Sequence, residues 1–264
     1  MIRGHGNRVY IAGSMHLLRA GDAALPIVLQ RAYQDAEALV MEIDLDDVDP
    51  AAAARFVLDH GRYPRPDGLR RALGEARWTG LQPWLARAGL PAEAAGGLEP
   101  WALALVLSAS EMTRAGLEPG LGVEEQLKAL AEADGKQITG LETPEFQLGL
   151  FDALGEAEQL KFLDLTLDDL ERTPADFDRI SAAWRTADTA ALHDMLLEGY
   201  SGLPELYEAV VYRRNANWVP RVRALLGRPD DYLVVVGALH IVGERGLVAL
   251  LQDEGLRIEP FRAH

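Results

Sequence analysis

Two similar segments near opposite ends of the chain constrain its fold more than any other feature of the sequence. Each consists of an apolar run, a glycine, a small residue, a bulky residue, a histidine and two aliphatic residues. The first occupies residues 10–18 and the second residues 234–242. With only six histidines in the chain, we do not attribute this repetition to chance. Short apolar runs that end at a glycine predict buried strands, so both chain ends contribute to one core.

Apolar or β-branched runs predict five strands, most of them apolar on both faces. Central strands of a parallel sheet have this character because helices cover both faces. Helical patterns follow the strands and dominate between Asp49 and Thr186. This order predicts an α/β protein with a central, mainly parallel β-sheet built from both chain ends and flanked by helices. The predicted strands are residues 8–12, 38–43, 137–141, 232–236 and 256–261.

The middle of the chain predicts a large helical insertion or cap within a single domain of residues 1–264. Two helical regions, at about residues 50–135 and 150–227, would form this cap. Within the second region, residues 203–226 read as one long helical stretch that can kink at Pro220.

Composition excludes several classes of function. The chain has 26 Lys and Arg against 41 Asp and Glu, a formal charge of −15, which repels a polyanion and disfavours nucleic-acid binding. The absence of cysteine excludes disulfides and thiolate metal ligands. No apolar run approaches the roughly 18 residues that a transmembrane segment needs.

The glycine and histidine of each repeated segment point to a site. Gly13 and Gly237 stand where a buried strand ends, and glycine there lets the backbone turn sharply and approach a ligand closely. Three residues later, His16 and His240 fall at the carboxyl edge of the sheet, where open α/β sheets bind ligands. A single such histidine is more simply explained as a hydrogen-bonded residue of a tight turn. The pair favours two imidazoles that converge on one point.

Glu42 closes the second apolar strand, and charged groups are rarely buried unless they are paired or coordinate a metal. We therefore expect Glu42 to bind or flank a cation. Asp44, two residues later on the same strand face, is an alternative ligand or a partner of the ligands. Two histidines with a carboxylate form a common ligand set for Zn, Mn, Co or Fe, and such a metal would supply hydroxide from bound water near neutral pH.

Glu142 ends a third strand in the same manner, and its role stays open. It could be a further ligand, the general base for the bound water, or a carboxylate that stabilises the next helix, for which Thr143 suits the N-cap. Arg214 can pair with Glu142 or stabilise a developing oxyanion, although most arginines on helix surfaces do neither. A nucleophilic Ser14 is disfavoured, because Ala238 takes its place in the second segment and no Gly-x-Ser-x-Gly elbow surrounds it.

Six motifs in one order resemble the TraB/GumN family, which includes the Tiki metalloproteases and is related to the erythromycin-esterase and ChaN-like proteins. The resemblance runs from the first strand to the last. Each motif alone is weak, but six in the family's order and spacing are specific. They are GSMHLL at 13–18, LVMEID at 39–44, GLGVE at 120–124, GLETPEFQ at 140–147, RNANW at 214–218 and VGALHIVG at 236–243.

This resemblance implies a hydrolase that depends on a divalent metal (Mn, Co or Zn). The Tiki proteins imply peptides or proteins as substrates, which a groove in the helical lobe would hold. One departure is Glu124, where the family often has aspartate; we expect this change to be tolerated because the position lies outside the ligand set. The resemblance places His16, Glu42 and His240 at the metal, with Glu142, Arg214 and Asn215 supporting the site.

Two other functions remain open from the sequence. One is a regulatory protein that binds a peptide or signal without cleaving it, and the other is a haem- or cofactor-binding protein of the ChaN-like type. Family members usually carry a signal peptide or lipoprotein leader, which favours export to the periplasm if a leader precedes Met1. Residues 1–7 contain no apolar leader region, so a cytoplasmic location is expected if Met1 is the true start.

Overall fold

The computed structural model describes residues 1–45, 48–170 and 172–262, which contain one five-stranded sheet. The strand order is β1-β2-β5-β3-β4, and the four strands after β1 are mutually parallel, whereas β1 pairs with β2 in the antiparallel sense. The prediction of an α/β fold with a mainly parallel sheet built from both chain ends is confirmed. The strands are β1 (Ile2–Arg3), β2 (Arg8–Ser14), β3 (Ala38–Ile43), β4 (Gln137–Glu142) and β5 (Tyr232–Gly237).

The strand predicted at residues 256–261 is wrong. In the described part of the chain this segment makes only an isolated bridge between Ile258 and Ile2. It runs beside β1, which already occupies the free edge of β2. Pro260 lacks the N–H that a continuing ladder needs, and this explains why the pairing stays local.

Helices cover both faces of the sheet, and the side chains of β5 show why. Leu233 and Val235 pack into one apolar cluster with helices α1, α6 and α9, while Val234 and Val236 pack into the opposite cluster with α12 and α14. All four side chains are fully buried. Strand residues alternate between faces, so a strand that is apolar throughout requires helices on each side.

The helices occupy most of the remaining described chain. They are α1 (Ile27–Asp35), α2 (Pro50–His60), α3 (Gly68–Ala88), α4 (Ala92–Gly96), α5 (Pro100–Arg114), α6 (Val123–Asp134), α7 (Pro144–Asp152), α8 (Glu156–Leu170), α9 (Thr173–Thr186), α10 (Thr189–Tyr200), α11 (Pro204–Tyr207), α12 (Arg213–Leu225), α13 (Ala238–Ile241) and α14 (Leu247–Asp253). Short 3₁₀ turns lie at Ala20–Asp22 and Pro119–Leu121. No helix within the described ranges is long and apolar enough to cross a membrane.

A separate apolar core forms a helical lobe in the middle of the chain. Leu69 and Leu81 of α3 pack with Leu103 and Leu107 of α5 and with Leu163 of α8, all nearly inaccessible to solvent. The two predicted helical regions do not belong entirely to this lobe, because α6, α9 and α12 pack on the sheet instead.

The long helical stretch predicted over residues 203–226 is confirmed from Pro204 to Leu225, but the type of helix changes within it. A π-helical turn, Glu208–Tyr212, separates α11 from α12, whereas Pro220 lies inside α12 without ending it. π-Helical turns often occur at functional sites because they shift the side chains that follow them. Here the residue two positions beyond the turn is Arg214.

Candidate functional site

The carboxyl ends of the four parallel strands bring the predicted site residues to one edge of the sheet. β2 and β5 are neighbours, with Ser14 opposite Gly237, and this register places the two histidine loops side by side. β3 lies on the other side of β5 and carries Glu42, and β4 follows with Glu142 opposite Ile43. Strand order therefore joins groups that are more than half the chain apart in sequence.

Gly237 lies at the centre of this arrangement. A Cβ atom built on it would stand 3.2 Å from Glu42 Oε1 and 3.2 Å from His16 Nε2. His240 Nε2 lies 3.7 Å from the same Glu42 oxygen. The structure thus gathers both loop histidines and Glu42 around one point. Neither loop glycine has a positive φ, so close approach, and not a left-handed turn, is what requires glycine here.

Gly13 serves the packing of one loop on the other. A Cβ at this position would come within 3.0 Å of the Ala238 Cα atom and 3.3 Å of the Ile241 side chain. Its carbonyl accepts a hydrogen bond from the indole of Trp184 at 2.8 Å. Gly13 therefore lets the two strands and their loops approach each other. Gly237 leaves room for a group of polar side chains, His16, Glu42, Arg214 and His240, which we call the polar cluster.

Glu42 is buried, and hydrogen bonds surround its carboxylate. Oε1 accepts the backbone N–H of Gly237 at 2.7 Å, and Oε2 accepts from Arg214 Nη2 and from Gln147 Nε2, the latter at 3.2 Å. Although burial opposes ionisation, the positive charges of Arg214 and His16 and the Gly237 N–H lower the pKa of Glu42 below its ordinary value. Glu42 is therefore an anion at neutral pH.

Arg214 is the cation of the cluster, and its side chain is only 8% exposed. Nε donates to Glu142 Oε2 at 2.8 Å, which is one of the two roles that the sequence left open for this arginine. Nη1 donates to the Val210 carbonyl in the π-helical turn at 2.9 Å and lies 3.1 Å from His240 Nε2. A guanidinium has five N–H groups. Among the described residues one N–H of Nη2 has no partner, and Arg214 lines the cavity into which it can donate.

His240 has a defined tautomer. Arg214 can only donate hydrogen bonds, so His240 Nε2 must accept, which puts the ring proton on Nδ1. Nδ1 donates to Asn215 Oδ1 at 2.7 Å, and the Asn215 amide is fixed in turn by its bond to the Arg245 carbonyl. The ring stacks at a tilt on Trp218, 4.5 Å between centroids. Burial, assisted by Arg214, lowers the pKa of His240 to about 3, so the ring is neutral.

His16 has a different environment. Its side chain is 63% exposed, and Nδ1 lies 2.6 Å from Glu124 Oε1. Ser14 Oγ donates to the same oxygen. Partial desolvation disfavours the charge, but the hydrogen bond to Glu124 and its negative charge raise the pKa of His16. His16 therefore carries a positive charge more readily than His240.

Glu142 has both oxygens occupied. Oε2 accepts from Arg214 and, at 3.4 Å, from Gln147, while Oε1 accepts the indole N–H of Trp218 at 2.9 Å. Thr143 caps α7 as predicted, with its hydroxyl accepting from the Phe146 N–H at 3.2 Å. These bonds connect β4, α7 and α12 behind the cluster.

Three residues of the cluster had no assigned role in the sequence interpretation: Gln147, Trp218 and Glu124. All three lie inside the family motifs, which was the only available signal, since their contacts depend on tertiary structure. Asp44 follows β3 but lies outside the described wall of the cavity. Ser14 contacts Glu124 and shows no nucleophile-base pair with a histidine in the described residues.

A cavity of about 750 Å³ opens above the cluster, large enough for a peptide segment. Its floor includes His16, Glu42, Arg214 and His240. Most of the remaining wall is apolar. Side chains from α5, α7, α9 and α10 contribute to it, including Met112, Phe151, Phe177, Ile180 and Met195.

The donor set suits a divalent metal in kind. Nδ1 of His16 is paired with Glu124, and Nδ1 of His240 is paired with Asn215, so that Nε2 of each ring points toward the cluster. Metal-binding histidines usually have this arrangement, with one nitrogen toward the metal and the other hydrogen-bonded to a neighbouring group. The separation of 3.7 Å between His240 Nε2 and Glu42 Oε1 is close to that of two ligands sharing one ion at about 2.1 Å. Across residues 1–45, 48–170 and 172–262, however, no three acidic or histidine side chains are already grouped as a metal site. The guanidinium of Arg214 contacts both His240 Nε2 and Glu42 Oε2, so its positive charge already lies where a metal ion would bind these two groups.

Fold and cluster together define an α/β protein with a charged polar site at the carboxyl edge of its parallel strands. The model of the TraB/PrgY/gumN family matches residues 1–260, and the chain belongs to this family. The chain is 27% identical over 248 residues to YbaP of Escherichia coli (strain K12), covering 94% of this chain and 89% of YbaP. YbaP of Shigella flexneri gives the same identity and coverage. No solved structure matches the chain.

Proposed function

We propose that this chain is a divalent-metal-dependent hydrolase, a Tiki-like metallopeptidase that acts on peptides or proteins, with the polar cluster as its active site. The observation that carries the proposal is the convergence of His16, Glu42 and His240 around Gly237 at the floor of a cavity. Structural histidines in turns would have no reason to gather beside a buried carboxylate from a third strand.

His16 and His240 would hold the metal through Nε2 and Glu42 through its carboxylate. A divalent ion held there, Mn, Co or Zn, would supply hydroxide near neutral pH by lowering the pKa of water. The hydrogen bond that His240 Nδ1 donates to Asn215 Oδ1 keeps this ring turned toward the cluster. The contact of Arg214 with His240 Nε2 must open when this nitrogen binds a metal.

Arg214 then acts on the substrate. Arg214 lines the cavity, and the Nη2 N–H that has no described partner would donate to a scissile carbonyl and stabilise the negative charge that develops on that oxygen. Glu142 holds the guanidinium in place through Nε, and Trp218 lies 4.8 Å below it. Because both Glu142 oxygens already accept hydrogen bonds, its contacts favour an anchoring role over the ligand and general-base roles.

The apolar wall of the cavity suits the side chains of a peptide. Two phenylalanines and three methionines line it beside the charged floor, and methionine adapts to side chains of different shape. Binding energy from these contacts would position the peptide bond over the cluster. A substrate with a bulky apolar residue next to the scissile bond is therefore favoured over a fully charged one.

The test is hydrolysis of a broad peptide library by purified protein with added Mn, Co or Zn, together with metal analysis. We expect metal-dependent cleavage in the wild type and a loss of at least a hundredfold in His16→Ala and His240→Ala. His60→Ala is the matched control, since this half-exposed histidine pairs with Asp152 away from the cluster. Absence of metal uptake and of cleavage with all three metals would overturn the proposal.

A second function has one observation in its favour. Arg214 already neutralises Glu42, so the cluster is charge-paired without an added ion, as a site that binds a peptide without cleaving it would be. A double variant, His16→Ala with His240→Ala, distinguishes the two functions. Unchanged peptide affinity in this variant, with no cleavage by the wild type, favours binding; loss of metal-dependent cleavage favours the hydrolase.

A further inference from the structure

The segment of residues 118–124 fixes the backbone around His16, and the proposed chemistry has not used it. The Val123 N–H, at the start of α6, donates to the Met15 carbonyl at 3.0 Å. Gly122 packs so closely that a Cβ on it would lie 2.1 Å from the His16 carbonyl oxygen. Only glycine permits this approach, since the atom that it would strike is backbone.

The far side of the loop is held in the same way. The Glu118 N–H donates to the Leu18 carbonyl at 3.0 Å, and the Leu18 N–H returns the bond at 3.5 Å. Gln126 of α6 donates to the Leu121 carbonyl at 2.6 Å and closes the intervening turn. The backbone is therefore fixed on both sides of His16.

The side-chain contact completes the arrangement. Glu124 Oε1 lies 2.6 Å from His16 Nδ1 and also accepts the Ser14 hydroxyl, so one oxygen is fixed by two donors. The carboxylate is 13% exposed although the imidazole is mostly exposed. An exposed imidazole samples several ring orientations unless a partner selects one. With Nδ1 bound, Nε2 is left on the side of Gly237.

We infer that Glu124 is the positioning residue of the first loop, and that its carboxylate holds the His16 ring so that Nε2 faces Glu42 and Gly237. The GLGVE motif places this carboxylate, through the close approach of Gly122 and the bond from Val123. The effect on metal affinity rests on the proposed function, whereas the ring orientation does not require a metal.

The first measurement is metal affinity of the purified full chain by calorimetry with Mn, Co and Zn. Removing the residue that hydrogen-bonds the second nitrogen of a metal-binding histidine lowers metal affinity by roughly 10–100-fold. We expect a loss of that size in Glu124→Ala. Glu124→Gln, which keeps an acceptor but loses the charge, should lose less, and Glu124→Asp should recover part of the affinity. Glu125→Gln is the matched control, because it removes the same charge from the next, exposed residue of α6 and should change affinity less than twofold.

The second measurement is the Nδ1–H proton of His16 in NMR spectra of the metal-free protein, assigned by its loss in His16→Ala. We expect an exchange-protected, downfield resonance in the wild type and in Glu125→Gln, and its loss in Glu124→Ala. Glu124→Gln serves for both measurements if Glu124→Ala does not fold, and its neutral acceptor should shift the resonance upfield and weaken its protection without abolishing it. An unchanged resonance in a folded Glu124 variant overturns the inference. If the wild type binds no metal, the proposed function fails, and the resonance still decides the role of Glu124.

Discussion

The two histidine loops have the same sequence pattern but opposite electrostatic environments. His16 is mostly exposed and has an anionic partner, Glu124, which raises its pKa. His240 is 6% exposed and has a neutral partner, Asn215, and burial lowers its pKa to about 3. Both rings present Nε2 to the same cluster and are bound through Nδ1. The pattern therefore determines where each ring stands, and the partners supplied by distant helices determine its charge.

The largest effect should come from Arg214, which contacts the second loop and both buried glutamates. Arg214→Leu leaves two carboxylates without their cation, and breaking a buried ion pair in this way costs about 3–5 kcal/mol of unfolding free energy. Urea unfolding measures this loss. Arg245→Ala, which breaks a half-exposed pair with Glu208, is the control and should cost less than about 1 kcal/mol. Similar losses in both variants would show that the cluster does not depend on Arg214.

The two loop glycines should separate stability from metal binding. In Gly13→Ala the new methyl group meets the Ala238 backbone, and overpacking of this kind costs about 1–3 kcal/mol. In Gly237→Ala the methyl group stands between Glu42 and His16, so metal affinity should fall more than tenfold with a smaller change in stability. Urea unfolding and metal titration of both variants test this pair of expectations. The reverse assignment of effects would contradict the described roles of the glycines.

The opposite pKa shifts predict opposite pH dependence in the metal-free protein. For His240, the unfolded state takes up a proton below its ordinary pKa near 6.5 and the folded state does not, so stability falls as pH drops toward about 3. For His16 the folded state holds the proton more tightly, so its contribution is complete below pH 6.5 and is lost as pH rises through the raised pKa.

Each histidine contributes at most about 1.4 kcal/mol per pH unit. NMR titration of the two imidazoles tests the directions directly. Urea unfolding of His240→Gln should lack the slope on the acidic side that the wild type shows. Two histidines that titrate together near pH 6.5 would contradict the contrast between the loops.

The smallest effect concerns Ser14, the residue at which the two loops differ in polarity. Ser14→Ala removes one hydrogen bond to Glu124 and should cost about 1 kcal/mol, with metal-dependent cleavage retained. Ala238→Ser places a hydroxyl at the equivalent point of the second loop and serves as the paired variant. Complete loss of cleavage in a folded Ser14→Ala protein would instead indicate a nucleophilic serine.

Apolar or β-branched runs were sufficient to predict β2, β3, β4 and β5 to within two residues, because strands buried on both faces have a distinct composition. The edge strand β1 was not predictable, since its two residues, Ile2 and Arg3, are too few to show a pattern. The predicted gathering of His16, Glu42 and His240 follows from parallel strands that end at one edge. The contact between Glu124 and His16 could not be inferred, because it depends on how α6 docks against the first loop.

The order of the strands has a consequence for how the protein is made. β2 and β5, which carry the two histidine loops, come from opposite ends of the chain and pair directly in the sheet. A ribosome that has synthesised everything up to α12 has produced one imidazole of the pair and none of the strand that completes its surroundings. The cluster can therefore form only after β5 has been synthesised, and a product that terminates before β5 carries an unfinished sheet and one of the two histidine loops.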